Sequence, residues 1–254
     1  MKPILLCLAL LPGIAHAAAP AADADAAFYD TVVQQAFEHY HLPGLAVGVI
    51  ADGKVVHVAT RGELAAGEGR HGDGDTLFKI ASNTKAMTAA VLARLVQAGR
   101  LRWDDPVTRY LPAFRMYDPW VTRNMQVRDL LIHNSGLGLG AGDLMLWPEP
   151  NHFTRQDIIA GLAHLKPAGS FRADYAYDNL LYVVAGEVAA AAGGKSYAAL
   201  VRQEIFVPLG MDRCQVGDWS PAKAGNVAQP HYRKDGRNVV VGRDGDVASD
   251  FPSM

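Results

Sequence analysis

Cysteine is almost absent from this sequence: Cys7 and Cys214 are the only two in 254 residues. Two cysteines, one of them inside the first ten residues, cannot build a disulfide framework, so stability has to come from packing. Charge of one sign is also missing. Lys and Arg number 24 against 26 Asp and Glu, a formal charge of −2, which removes the electrostatic footprint of a nucleic-acid or anionic-membrane binder. No apolar run approaches the roughly 20 residues needed to span a bilayer, so no integral membrane segment is expected. No internal repeat or long linker is visible. What is present is a chain that is 50% hydrophobic and 20% charged, enough to bury a sizeable core as a single globular unit or as a pair of units.

The first residues read as a leader. Met1-Lys2 gives a positive start, Ile4 to Leu11 is a short apolar run, and Ala15-His16-Ala17 has the small-x-small pattern of a signal-peptidase site. Residues 1–17 are therefore expected to be a signal peptide and 18–254 the working domain, periplasmic or secreted. Cleavage removes Cys7. Cys214, after Leu209-Gly210-Met211, then reads as a small buried apolar residue rather than a reactive thiol.

Periodicity predicts a helix over Ala26–His39, carrying Phe28, Val32, Val33, Ala36 and Phe37 and stopped by Pro43-Gly44. A hairpin follows, with strands Leu45–Ile50 and Val55–Ala59 about Asp52-Gly53. From Ser82 to Ala98 the chain is helical and apolar nearly all round, with Gly99 placed to cap it, which predicts an interior helix. Further helices are predicted over Val127–His133, Thr154–Leu165 with Thr154 as N-cap, Asn179–Ala192 and Ser196–Phe206. A second hairpin is expected about Asp235-Gly236. The fold class is α+β, an antiparallel sheet with a mostly helical region.

Candidate chemistry begins with serine. No Gly-x-Ser-x-Gly elbow exists, but two Ser-x-x-Lys matches do, and two fixed residues recur about once by chance in a chain this long. Ser220-Pro221-Ala222-Lys223 lies in a polar stretch, whereas Ser82-Asn83-Thr84-Lys85 opens the apolar helix. Three residues make about one helical turn, so Ser82 and Lys85 share a face. Burial would push that amine towards its neutral, proton-accepting form, and the helix start favours an alkoxide at Ser82. The competing reading of Ser82 is an ordinary N-cap. Tyr177-Asp178-Asn179 opens another apolar helix, where a phenol near cations can move protons. The competing reading there is a buried tyrosine with a satisfied hydroxyl.

The ordered set is more specific than either motif. Phe78–Lys85, Leu95–Leu101, Asp104–Pro112, Val127–Leu137, Tyr177-Asp178-Asn179 and Ile205–Met211 closely resemble the serine β-lactamase-like family. That family holds class C β-lactamases, D-alanyl-D-alanine carboxypeptidases, D-amino-acid amidases and esterases. The resemblance runs from about Leu42 to Met211. It implies a β-lactamase/transpeptidase-like fold and acyl transfer: Ser82 as nucleophile, Lys85 and Tyr177 handling protons, and Asn179 binding the substrate amide or steadying Lys85. It implies no metal or organic cofactor, and a small-molecule or peptide substrate whose identity stays open among lactams, esters, amides and peptides. Oligomeric state is not readable.

One departure stands out. The family's third motif, a Lys-Thr-Gly or His-x-Gly strand, is not found, and with it would go one of two oxyanion-hole donors, a loss of about 10²–10³ in rate. The expectation is a C-terminally truncated chain with an incomplete sheet. The alternative is a catalytically silent penicillin-binding-like protein that holds cell-wall peptides without turnover. Gly193-Gly194-Lys195-Ser196 reads as a helix C-cap rather than a phosphate loop, and His39-Tyr40-His41 as a helix end rather than a metal site. His133 is expected to order its own loop through Asn134 and Ser135. Asp73-Gly74-Asp75 and Asp244-Gly245-Asp246 read as turns, and Trp103, Trp120, Trp147 and Trp219 as core or cleft walls.

Overall fold

The computed structural model describes residues 26–147, 152–216 and 224–241. The predicted signal peptide, the Ser220/Lys223 match and the Asp244-Gly245-Asp246 turn lie outside them. The chain divides into two compact units, one up to Gly74 and one from Asp75 onward.

In the first unit, helix α1 (Ala26–His39) packs on an antiparallel hairpin of β1 (Gly44–Ala51) and β2 (Lys54–Gly62). The helix ends as anticipated but by a different device. His41 takes a left-handed φ of 50°, and Leu42 N–H reaches back to the Phe37 carbonyl at 3.1 Å, which closes the last turn before Pro43 is reached. The hairpin turns on Asp52 (φ 49°) and Gly53 (φ 73°), the pair of positive φ values that matches strand twist. His57, Ala59 and Arg61 face α1. Tyr29 lies against His57 with ring centroids 5.5 Å apart, and Arg61 donates to Asp30 at 2.9 Å and Gln34 at 2.8 Å. Ile50, Val56 and Val58 on the other face are exposed.

The second unit is mainly helical. Its centre is α5 (Leu180–Gly193), flanked by α2 (Thr84–Gln97), α4 (Arg155–Gly161) and α6 (Tyr197–Val201). Val91, Leu92, Leu95, Leu180, Leu181, Val184 and Val188 are buried in one core, each worth about 1.5–3 kcal/mol when fully removed from water. The interior helix is α5, not α2. Although apolar nearly all round, α2 turns Ala86 and Ala93 outward and buries only one face, because small alanines cost little when exposed.

Three helical predictions need shortening. Val127–His133 yields only a 3-10 turn, Val127–Leu130, because Asp129 turns back onto the Gln126 N–H and His133 adopts φ 57°. Thr154 caps α4 reciprocally with Asp157, but after Gly161 the helix tightens into a 3-10 turn, Leu162–His164. Ser196 caps α6, and after Val201 the chain widens into a π-turn, Arg202–Phe206. Helix α3 (Pro119–Asn124) was not anticipated, although Asp118 accepting from Trp120 N–H with Pro119 at the first position is a recognisable start. The second hairpin is β3 (His231–Lys234) with β4 (Arg237–Val240). Strands among the described residues form two separate antiparallel pairs. Trp120 and Trp147 are surface residues at 54% and 42% exposure, so they are not core; Trp103 packs half-buried, and Trp219 is outside the described residues. Cys214 is half-buried against the core, where burial pushes its thiol up and disfavours the thiolate.

Candidate active site

Ser82 lies in a 3-10 turn, Ala81–Asn83, that leads into α2. Its neighbour Ala81 has φ 44°, an unfavourable region for a residue with a Cβ. Asn83, not Ser82, stands at the N-cap of α2, so the N-cap reading does not hold. Instead Ser82 Oγ, on an exposed residue, accepts from Lys85 Nζ at 3.1 Å. Lys85 itself is buried at 7% exposure. Its ammonium also donates to Asn179 Oδ1 at 2.8 Å and lies over the rings of Tyr177 and Tyr182, 4.9 and 5.2 Å from their centroids. Two π-faces stabilise a cation screened from water.

The segment holding Tyr177 and Asn179 is pinned at both backbone and side chains. The Tyr177 carbonyl accepts from Gly140 N–H at 3.0 Å, and Asp178 N–H donates to His133 Nδ1 at 3.1 Å. His133 therefore does not merely order its own loop. It accepts at Nδ1, which places its proton on Nε2, and its ring stacks on Tyr177 at 4.5 Å. Burial and the charge of Lys85 hold His133 below the ordinary histidine range. Asp178 is fully buried and caps α5 by accepting from Leu181 N–H at 3.0 Å. Its Oδ2 has no partner, and burial pushes its carboxyl up to about 6.

A second brace stands behind this segment. Asp129, 1% exposed, accepts two bonds from Arg172, Nε to Oδ1 at 2.9 Å and Nη2 to Oδ2 at 2.6 Å. Arg172 N–H donates to the Asn134 carbonyl at 2.7 Å, and Ala176 N–H to that of His133 at 2.9 Å. Gly136 fits here because its φ is 85° and a Cβ would stand 2.8 Å from the Gly169 carbonyl oxygen.

Burial alone would raise the Tyr177 phenol. Hydrogen bonding towards Lys85 and Ser82, together with the Lys85 charge, outweighs it and brings the phenol below its ordinary value. The four residues Ser82, Lys85, Tyr177 and Asn179 are thus brought together. One participant was missed: Asp143, in a 3-10 turn after Gly142, takes the other end of Asn179, with Nδ2 donating to Oδ1 at 3.1 Å and Oδ2 at 3.2 Å. The only sequence signal is a glycine-rich approach, Gly138 to Gly142, which fixes no residue type after it. An exposed hydroxyl, a buried cation and a phenol of lowered pKa form an arrangement suited to nucleophilic attack.

The chain is 34% identical over 203 residues to "Esterase EstB" of Burkholderia gladioli, covering 74% of this chain and 51% of the esterase. It is 28% identical over 216 residues to "D-alanyl-D-alanine-carboxypeptidase/endopeptidase AmpH" of Escherichia coli K12, covering 82% of this chain and 54% of that protein. A solved class C β-lactamase shares the fold with a TM-score of 0.68 at 24% identity, over 88% of this chain and 58% of that one. The chain spans about half the length of these relatives. No helix among the described residues is long and apolar enough to cross a membrane. A family model described as Beta-lactamase matches residues 29–251, and with the hydroxyl, ammonium and phenol gathered as described, the chain belongs to that family.

Proposed function

We propose that this is an exported serine hydrolase acting through an acyl-enzyme on an ester, amide or lactam bond. The observation that carries the reading is the Lys85 ammonium held between Ser82 Oγ and Asn179 Oδ1 at 3.1 and 2.8 Å, beside a phenol whose pKa is lowered. Ser82 Oγ attacks the carbonyl carbon and its proton passes to the Tyr177 oxygen. The tetrahedral intermediate collapses, the leaving oxygen or nitrogen takes that proton, and the acyl group stays on Ser82. Water then attacks the ester, gives a proton to Tyr177, and releases the acid as the proton returns to Ser82. Lys85 supplies the positive charge that makes the phenolate accessible, in place of the proton-accepting role expected from burial alone, and Asn179 holds Lys85 in place. The Met1–Ala17 leader supports export.

A fluorophosphonate or a fluorescent penicillin tests this directly. Wild-type protein and Ser220→Ala are expected to become labelled, and Ser82→Ala is not. A folded wild-type protein that takes no label but binds muropeptides would establish the silent binding protein instead.

A further inference from the structure

A carboxamide has a donor end and an acceptor end, and the two orientations differ by a half-turn. Asn179 is 6% exposed, so water cannot correct a wrong choice. Lys85 on one side can only donate. A nitrogen turned towards it would oppose donor to donor. On the other side Asp143 offers only acceptors, both oxygens lying within 3.2 Å of Nδ2. A donor-only cation and an acceptor-only carboxylate therefore polarise the amide between them. Asp143 forms no ion pair among the described residues, so no lysine or arginine there competes for its oxygens, and Gly142 (φ 81°) sets the turn that delivers it.

We propose that Asp143 is a positioning residue of the reaction: it fixes the orientation of the Asn179 carboxamide and, through it, the place of the Lys85 ammonium beside Ser82. The inference rests on the acyl-enzyme reading above. It has a consequence that a purely structural aspartate would lack. The Asp143 charge opposes ionisation of Tyr177. The other groups facing that phenol are Ser82 and Lys85 from the start of α2, His133 from its loop and Tyr182 from α5; Tyr175 and Asp178 neighbour it along the chain. Replacing only the charge of Asp143 leaves those groups in place and favours the phenolate.

The test uses the whole chain carrying Asp143→Ala or Asp143→Asn, with fluorophosphonate reaction rates measured from pH 5 to 9 and a crystal structure of each variant. In Asp143→Ala the rate is expected to fall by up to about 10²-fold, the scale of a small misplacement of a reacting group, and the amide to turn away from Lys85. Asp143→Asn retains an acceptor for Nδ2. It is expected to recover most of the rate and to move the acid limb of the profile to lower pH. Wild-type rates in Asp143→Ala, or an unmoved Lys85–Asn179 contact in its crystal structure, overturn the inference. Should the alanine variant not fold, an unshifted acid limb in Asp143→Asn does the same. A wild-type protein that never reacts overturns the acyl-enzyme reading, and the position of Asn179 in the variant structure still decides the role of Asp143.

Discussion

Asp178 should make the protein less stable as pH rises, against the usual trend for carboxylates. The side chain is fully buried, one oxygen is bonded to Leu181 N–H and the other has no partner. Burial raises its pKa from 3.8 to about 6. Between those values the unfolded chain loses the proton while the folded one keeps it, so stability falls across that window. A shift of about 2 units corresponds to about 3 kcal/mol, fully expressed above pH 6. His133 works in the opposite sense. Its folded pKa is depressed, so its contribution is present above the unfolded value near 6.5 and is lost as pH falls. Comparison with Asp178→Asn cancels that term. The variant keeps an acceptor for Leu181 N–H and carries a pH-independent cost for its new amide, so the slope and not the offset is diagnostic. Urea unfolding at pH 4, 5, 6 and 7 should show wild type losing about 2 kcal/mol relative to Asp178→Asn between the first and the last, the rest having gone below pH 4. Parallel curves for the two proteins would refute the reasoning.

Two further perturbations probe the surroundings of the site. Arg172→Ala strips two bonds from a buried carboxylate; because the Arg172 side chain is 41% exposed, the loss should reach about 2–4 kcal/mol rather than the full cost of a buried broken pair. A change below about 1 kcal/mol in urea unfolding would show that Asp129 finds other partners. Tyr197→Phe removes a 2.6 Å bond to Thr88 in the core and should cost about 1–2 kcal/mol, with some of that recovered in the Tyr197→Phe, Thr88→Val double variant; an unchanged midpoint in either measurement contradicts this.

Local rules carried much of the fold. Asp52-Gly53 and Asp235-Gly236 became the two hairpin turns, and Thr154 became a side-chain cap, because each feature is decided by a few adjacent residues. Interiors were harder. Composition alone does not distinguish α2, whose alanines tolerate water, from α5, whose leucines and valines do not. At the site, Ser82, Lys85, Tyr177 and Asn179 were legible through spacing and resemblance. Asp143 and the cross-chain roles of His133 and Arg172 were not, since their partners lie 36, 45 and 43 residues away and no periodicity links them.

The one turn between Ser82 and Lys85 separates an open oxygen from an enclosed nitrogen. Electrophiles of modest size can reach the former directly, while amine-directed reagents would first meet the outward lysines at 54, 166 and 195. The pair is thus chemically lopsided: the hydroxyl is open to solvent, and the amine behind it is sheltered from modification for as long as the native packing lasts.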